Sequence, residues 1–371
     1  MGGPLDSRLC RGVTALVGSA VLLIGCSIDE PTTATDDAAV SSSDVPTGST
    51  SPTASADSTK TGAEDEPSHS KPSVQPISVL GLAQQRLRGD RLRIGGIRAQ
   101  TTDYTSYNVR YRSSTITARS KESYTITGVL NVPMGRGPFP AVVLAHGYIE
   151  PAVYVRGQGM ERERDYLARR GYIALHVDYR NHAGSDNDPL FQVRMRLGYS
   201  ADVINAVKAL RDSSDIPVDD DRMALFGRSM GGGVVLKALV AEPGVVQAAV
   251  PFASVSSLER QNYDQFIRPD PADSTFRDRL VRRHLTPQQD PRFWRENSSR
   301  PYFDRITEPV LMVHGRLDDT CPPRWAAATQ RALTQADVQS QLEWYNDGHT
   351  FVPAFYPAMN RIVRFFDRQL G

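Results

Sequence analysis

The stretch that decides the fold covers residues 222–239 and reads RMALFGRSMGGGVVLKAL. A short apolar run leads into the pattern Gly-x-Ser-x-Gly, with Ser229 at its centre, and small and apolar residues at helical spacing follow. This order predicts a strand, a tight turn and a helix. The five-residue pattern alone would occur by chance in roughly one chain in six of this length and composition. The assignment of Ser229 as a nucleophile therefore depends on the surrounding sequence.

In such a turn Ser229 is expected to adopt a strained conformation at the carboxyl edge of a sheet, with its hydroxyl presented outward. Glycines are needed on both sides because a Cβ there would collide with the neighbouring strand or helix. A serine hydroxyl is a poor nucleophile at its own pKa. It needs a base within hydrogen-bond reach, and the base needs an acid that holds its tautomer.

Both partners are present at the ends of later strands. Residues 309–313 read PVLMV, as a buried parallel strand should, and Asp318 lies in the loop that follows. Residues 341–346 are typical of the next strand, and His349 follows them directly. The sequence therefore predicts that Ser229, Asp318 and His349 meet at one edge of the sheet as nucleophile, acid and base.

The order Ser, Asp, His along the chain is that of the α/β-hydrolase fold rather than that of chymotrypsin-like or subtilisin-like enzymes. We expect a mostly parallel central sheet with helices on both faces. Two alternating segments, 104–111 and 123–132, predict antiparallel strands that lead into this sheet. Residues 79–97 are ambiguous between helix and loop. Residues 256–305 break the alternation and predict a helical cap insertion that would cover the nucleophile.

The oxyanion of a tetrahedral intermediate needs two N–H donors, and removing one costs about 3 to 4 kcal/mol of barrier. The backbone N–H of Met230 is one candidate, because it directly follows the nucleophile. The loop after the apolar run 140–145 offers the backbone N–H of Tyr148 as the second. The Tyr148 side chain could instead donate through its hydroxyl or line the pocket.

A family resemblance is carried by three further segments, which read LARRGYIALHVDYR at 167–180, DVINAVKAL at 202–210 and VDDDR at 218–222. Together with the nucleophile turn and the Asp and His segments, they resemble the catalytic domain of prolyl oligopeptidase-type serine peptidases. The resemblance runs from about Pro140 to the C-terminus. It implies Ser229, Asp318 and His349 as the triad.

The resemblance leaves three points open. The family usually carries His-Gly-Gly-Pro at the oxyanion loop, whereas residues 146–149 read HGYI here. Asp319 is the alternative acid, and Asp318 is preferred because it fits the family spacing after residues 314–315. Related single-domain members include carboxylesterases and dienelactone hydrolases, so the substrate can be a small peptide or an ester. A non-catalytic cell-surface binding protein is the third hypothesis, which the presence of all three residues disfavours.

The N-terminal part is not core material. Residues 1–25 resemble a bacterial lipoprotein signal, in which Cys26 is lipidated and becomes the mature N-terminus. Residues 26–76 are rich in Ser, Thr, Pro and Asp and predict a flexible tether. The expected layout is an exported cell-envelope lipoprotein, anchored to a bacterial membrane by its lipid, with the catalytic domain in residues 77–371.

Composition adds several exclusions. The formal net charge of +1 gives no reason to expect nucleic acid as a partner. Of the three cysteines, Cys10 lies in the signal and Cys26 is the lipidation site, so Cys321 alone would remain in the folded domain. An intrachain disulfide is then excluded. The predicted chemistry calls for no cofactor and no metal.

Overall fold

The computed structural model describes residues 74–269 and 274–371. The signal, Cys26 and nearly all of the tether lie outside the described residues, and these assignments stay predictions. In the described part, nine strands form one sheet, with β1 (Arg86–Gln100), β2 (Tyr104–Ile116), β3 (Lys121–Pro133), β4 (Phe139–Ala145), β5 (Ile173–Val177), β6 (Val218–Arg228), β7 (Ala248–Phe252), β8 (Val310–Gly315) and β9 (Ser340–Tyr345).

The spatial order of the strands is β1-β2-β3-β5-β4-β6-β7-β8-β9. The strands from β1 to β5 in this order pair antiparallel, and those from β5 to β9 pair parallel. This mostly parallel sheet with N-terminal antiparallel strands confirms the predicted α/β-hydrolase fold class. The carboxyl ends of β6, β8 and β9 meet at one edge, where parallel α/β sheets place their functional loops.

Nine α-helices belong to the described residues: α1 (Val79–Ala83), α2 (Glu161–Ala168), α3 (Leu197–Arg211), α4 (Met230–Ala241), α5 (Glu259–Asn262), α6 (Ser274–His284), α7 (Pro291–Glu296), α8 (Pro323–Gln335) and α9 (Phe355–Leu370). Val143 and Leu225 of the sheet join a buried cluster with α3 and α4. Their chain neighbours Val142 and Phe226 join a second buried cluster with α2 and α9. Helices therefore cover both faces, as strands that are apolar on both sides require.

The segment 79–97, for which the sequence predicts helix or loop, is mostly strand. After the short helix α1, β1 begins at Arg86 and buries Leu87, Gly89 and Leu92 while the arginines between them are exposed. This alternation is the ordinary signature of a strand, but the density of charge obscures it. Strand β1 is an edge strand, where charged side chains discourage pairing with other chains.

The segment between β7 and β8 is helical where the structure describes it. It contains α5, α6 and α7, a π-helical turn at Tyr263–Ile267 and a 3₁₀ helix at Arg300–Arg305. Trp294 of α7 is almost fully buried and packs edge-on against Tyr263 at 4.8 Å between ring centroids. Among the residues described, no helix combines the length and the apolar character needed to cross a bilayer.

Candidate active site

Ser229 lies at the junction of β6 and α4 with φ 55° and ψ −119°, a conformation that costs a non-glycine residue roughly 1 to 3 kcal/mol. Its N–H donates to the Phe252 carbonyl at 2.9 Å, which holds the turn against β7. A Cβ at Gly227 would lie 2.1 Å from the Gly231 oxygen, and one at Gly231 would lie 1.9 Å from the Ala145 oxygen. The turn therefore requires both glycines, as the sequence predicts.

The structure brings Ser229, His349 and Asp318 into one hydrogen-bonded chain. Nε2 of His349 lies 3.0 Å from Oγ of Ser229, and Nδ1 of His349 lies 2.8 Å from Oδ2 of Asp318. The other carboxylate oxygen of Asp318 accepts the N–H groups of Cys321 at 2.7 Å and Thr320 at 3.1 Å. The loop backbone thus fixes the carboxylate so that Oδ2 faces the imidazole. This arrangement supports proton transfer from the serine hydroxyl to Nε2.

The rival carboxylates of this region point elsewhere. Asp319 is exposed, and its Oδ1 accepts the Thr320 hydroxyl at 3.3 Å. Asp347 is buried and accepts the N–H groups of Gly348 and Ala354, each at 2.8 Å. Ala354 immediately precedes α9, so Asp347 fixes the backbone at the start of that helix. Across the described residues, Asp318 is the carboxylate within hydrogen-bond distance of His349.

The two predicted oxyanion donors have different surroundings. Met230 is the first residue of α4, where backbone N–H groups have no intrahelical partner and the helix dipole favours negative charge. Gly147 packs against the nucleophile, since a Cβ there would lie 3.2 Å from Cβ of Ser229. Tyr148 follows in the same loop, and its hydroxyl donates to Glu150 at 2.6 Å. The donor roles of Met230 and Tyr148 stay predictions.

A cavity of about 440 Å³ opens beside Ser229 and His349. Its apolar lining comes from two sources: Met195, Met230 and Val234 belong to the body of the domain, and Val255, Phe266 and Ile267 belong to the segment after β7. The charged side chains in its lining are Arg196, Lys237 and Glu259. The cavity is large enough for a small substrate bound next to the nucleophile.

A comparison with known families agrees with this geometry. The model of the prolyl oligopeptidase family matches residues 159–371. The chain belongs to the prolyl oligopeptidase family. The resemblance inferred from the sequence is thereby confirmed.

Similar proteins include peptidases and esterases. Dipeptidyl peptidase 4 of Felis catus is 28% identical over 185 residues, which are 49% of this chain and 22% of that protein. Acetyl xylan esterase 1 from Thermoanaerobacterium superposes with a TM-score of 0.57 at 19% identity, covering 76% of this chain and 89% of that one. Acylaminoacyl peptidase of Pyrococcus horikoshii gives 0.54 at 16% identity, covering 75% and 49%. The chain thus spans less than a quarter of the curated relative, and the structural likenesses concern the fold.

Four other histidines of this family member are buried away from solvent. Burial lowers the pKa of each, and lowers that of His146 to about 3; they are His146, His176, His182 and His314. His146 stacks on Tyr154, with ring centroids 4.7 Å apart, and His314 lies 2.8 Å from the Cys321 carbonyl. These imidazoles therefore stay neutral and act as packing and hydrogen-bonding groups. Cys321 is also fully buried, and burial raises the pKa of its thiol.

The sequence did not predict an ion pair that lies beside the triad. Arg228, within the Gly-x-Ser-x-Gly pattern, lies 2.9 Å from the buried carboxylate of Glu163 on α2. It also donates to the carbonyl oxygens of His349 at 3.3 Å and Thr350 at 2.9 Å. Arg162 of α2 donates to the Thr350 carbonyl as well, at 2.9 Å. The position of Arg228 next to the nucleophile indicated a role near the site. Its partner could not be predicted, because Glu163 lies 65 residues earlier in the chain.

Proposed function

We propose that this protein is a serine hydrolase that cleaves peptide or ester bonds through an acyl-enzyme intermediate. The observation that carries the proposal is the continuous contact from Ser229 Oγ to His349 Nε2 at 3.0 Å and from His349 Nδ1 to Asp318 Oδ2 at 2.8 Å. The strained turn that presents Ser229 supports it, because such strain persists where the surrounding structure enforces it.

In the proposed reaction, Oγ of Ser229 attacks the substrate carbonyl carbon while Nε2 of His349 takes the hydroxyl proton. Asp318 holds the Nδ1–H tautomer of His349 and stabilises the imidazolium. The backbone N–H groups of Met230 and Tyr148 bind the oxyanion. His349 then gives its proton to the leaving alcohol or amine as the tetrahedral intermediate collapses. A water molecule, deprotonated by His349, releases the acyl group from Ser229.

The leaving group separates the two versions of this function. An amine has to be protonated as it leaves, so a peptidase depends on His349 as a general acid more than an esterase does. The carboxylesterase alternative uses the same three residues and the same cavity. Membership of the prolyl oligopeptidase family supports either version, since both rely on the same triad.

The test is kcat/KM of the full chain on matched acyl-p-nitrophenyl esters and peptidyl-p-nitroanilides, with Ser229→Ala as the control. Ser229-dependent cleavage of the anilides supports a peptidase, and cleavage of the esters alone supports a carboxylesterase. Turnover that survives Ser229→Ala would overturn the proposed mechanism. Failure of Ser229 to react with a fluorophosphonate would favour a non-catalytic binding protein instead.

We also propose that the protein is exported and anchored to a bacterial membrane through a lipid on Cys26. The support is the sequence alone, in which the apolar stretch ends in Leu23-Ile24-Gly25-Cys26 and a polar tether follows. Metabolic labelling with an alkynyl fatty acid tests this. Label on the full chain that disappears in Cys26→Ser is the expected result, and equal label in both proteins would contradict it.

A further inference from the structure

The cavity beside the nucleophile has an unbalanced charge. Nζ of Lys237 lies 2.8 Å from Oε1 of Glu259, so these two charges neutralise one another. Arg196 is the remaining cation of the lining. Among the carboxylates of residues 74–269 and 274–371, none has an oxygen within 4.0 Å of the Arg196 guanidinium nitrogens. Among the described residues, the cavity lining therefore carries one positive charge that no carboxylate compensates.

The two neighbouring arginines show what pairing looks like in this region. Arg180 lies 2.8 Å from Asp202 and 3.3 Å from Asp188. Arg194, two residues before Arg196, lies 2.8 Å from Glu122. Each therefore has its charge met by a carboxylate of the protein itself. Arg196 differs from both, although it is partly buried and a buried charge favours an opposite partner.

The protein holds the Arg196 side chain close to the nucleophile. Nη1 of Arg196 is 3.8 Å from Sδ of Met230, the residue that directly follows Ser229. The guanidinium carbon lies over the Tyr148 ring at 4.9 Å and over the Phe276 ring at 5.7 Å from the centroids. Stacking of this kind restrains the guanidinium plane and leaves its edge N–H groups available for hydrogen bonds.

The backbone at this point is also unusual. Met195 and Arg196 both have positive φ, 55° and 54°, which is unfavourable for residues other than glycine. The N–H of Arg196 donates to the Phe191 carbonyl at 2.8 Å, and α3 begins at the next residue. Left-handed backbone at residues other than glycine clusters at functional sites. Here the left-handed residue Arg196 lies in the cavity lining.

We propose that Arg196 binds a carboxylate of the substrate. The enzyme would then prefer esters or amides that carry a free carboxylate on the part filling the cavity. The guanidinium fork matches a planar carboxylate with two parallel N–H···O bonds, which neither Lys237, already paired, nor the apolar lining can offer. The inference rests on the proposed serine hydrolase function and specifies its substrate class.

The experiment compares kcat/KM of the full chain on two pairs of substrates that differ by one carboxylate. The first pair, pentanoyl and glutaryl p-nitrophenyl esters, places it on the acyl side. The second pair, methyl 4-acetoxybenzoate and 4-acetoxybenzoate, places it on the leaving group. We expect the wild type to prefer the carboxylate member of at least one pair. Arg196→Gln should lower that preference by about 10- to 100-fold, the range typical of a charge-assisted contact.

Arg194→Gln is the matched control, because it removes a nearby arginine charge that Glu122 already neutralises. It should leave the preference within about threefold. Arg196→Lys should give an intermediate preference, since it keeps the charge and loses the fork. The preference is a ratio between two substrates of one enzyme sample, so a lower amount of folded variant does not alter it.

Some outcomes would overturn the inference. A wild-type preference for the neutral member of both pairs would do so, as would an Arg196→Gln preference equal to that of the wild type. If Arg196→Gln does not fold, the wild-type preference and Arg196→Lys decide by the same criteria. Ser229-dependent turnover without an Arg196-dependent preference sinks this inference alone. Turnover that survives Ser229→Ala overturns the proposed function and this inference with it.

Discussion

The guanidinium of Arg228 lies 2.9 Å from the carboxylate of Glu163, whose side chain is only 1% exposed. Arg228 immediately precedes the nucleophile, and it also binds the carbonyl oxygens of His349 and Thr350. One side chain thus connects the strand that carries the nucleophile to the loop that carries the base. We expect the separation between Ser229 Oγ and His349 Nε2 to depend on this connection.

Arg228→Met should therefore lower kcat by about 10- to 100-fold, because a displacement of about 1 Å in the base is enough for such a loss. The free energy of unfolding at pH 7 should fall by about 3 to 5 kcal/mol, since Glu163 keeps its burial and loses its partner. Burial already raises the pKa of Glu163, with Arg228 acting in the opposite direction. The pKa rises further in the variant, so the destabilisation should be small below about pH 4.5 and grow as the pH rises.

Urea denaturation measures the free energy of unfolding, and steady-state kinetics on a p-nitrophenyl ester measure kcat. Adding Glu163→Gln to Arg228→Met is the control, because it removes the unpaired charge without restoring the tie to the His349 loop. Stability should partly recover and kcat should not. Recovery of kcat in the double variant would show that Arg228 does not position His349.

Asp318→Asn should reduce kcat by about 10³- to 10⁴-fold. An amide at this position cannot hold the Nδ1–H tautomer of His349 or stabilise its imidazolium. Asp319→Asn should change kcat/KM by no more than about threefold, because Asp319 is exposed and its carboxylate contacts Thr320. The two variants carry the same chemical change on adjacent residues. A larger loss in Asp319→Asn would reassign the acid.

Tyr148→Phe tests which group of Tyr148 binds the oxyanion. The hydroxyl already donates to Glu150 at 2.6 Å, and the backbone N–H is unaffected by the substitution. We expect kcat to change by less than about threefold. A hydroxyl that donates to the oxyanion would instead give a loss of about 10²- to 10³-fold, the usual effect of removing one such donor. Glu150→Gln, measured beside it, reports whether the Tyr148–Glu150 contact itself matters.

Acid should destabilise the protein as the pH falls below about 6.5. Burial lowers the pKa of His146, His176, His182 and His314 from the ordinary value of about 6.5, so the unfolded chain takes up protons at these residues before the folded protein does. Their contribution to stability is full above pH 6.5 and is lost as the pH falls towards their folded-state pKa, about 3 for His146. Each group can contribute a slope of up to about 1.4 kcal/mol per pH unit in this window.

Urea denaturation at pH 7.5, 6.5, 5.5 and 5.0 measures this slope. The free energy of unfolding should be nearly constant from 7.5 to 6.5 and fall steadily below that. A flat curve down to pH 5.0 would contradict the expected loss of stability.

The strands that carry the triad were predictable because parallel strands buried on both faces are almost purely apolar and their ends are marked by glycine and polar residues. The runs before Ser229 and Asp318 are of this kind. Strand β1 was not predictable in the same way, since its buried Leu87 and Leu92 alternate with arginines on an exposed edge. A segment with so many charged residues resembles a loop in sequence. Its strand character becomes clear only from its packing against α3.

By itself, the sequence determined the fold class and the two glycines, Gly227 and Gly231, that the turn at Ser229 requires. It also determined three residues, Ser229, Asp318 and His349, whose order along the chain is that of the α/β-hydrolase triad. These follow from local chemistry: periodicity, the steric demands of a tight turn, and the need of a serine for a base and an acid. The sequence preferred Asp318 to Asp319 by spacing only, and the tertiary structure decided that Asp318 faces His349, because two carboxylates on adjacent loop residues differ in the direction that the folded loop gives them. It also decided the partners of Arg228 and the absence of a carboxylate partner for Arg196 among the described residues, since such pairings depend on distances between segments far apart in the chain.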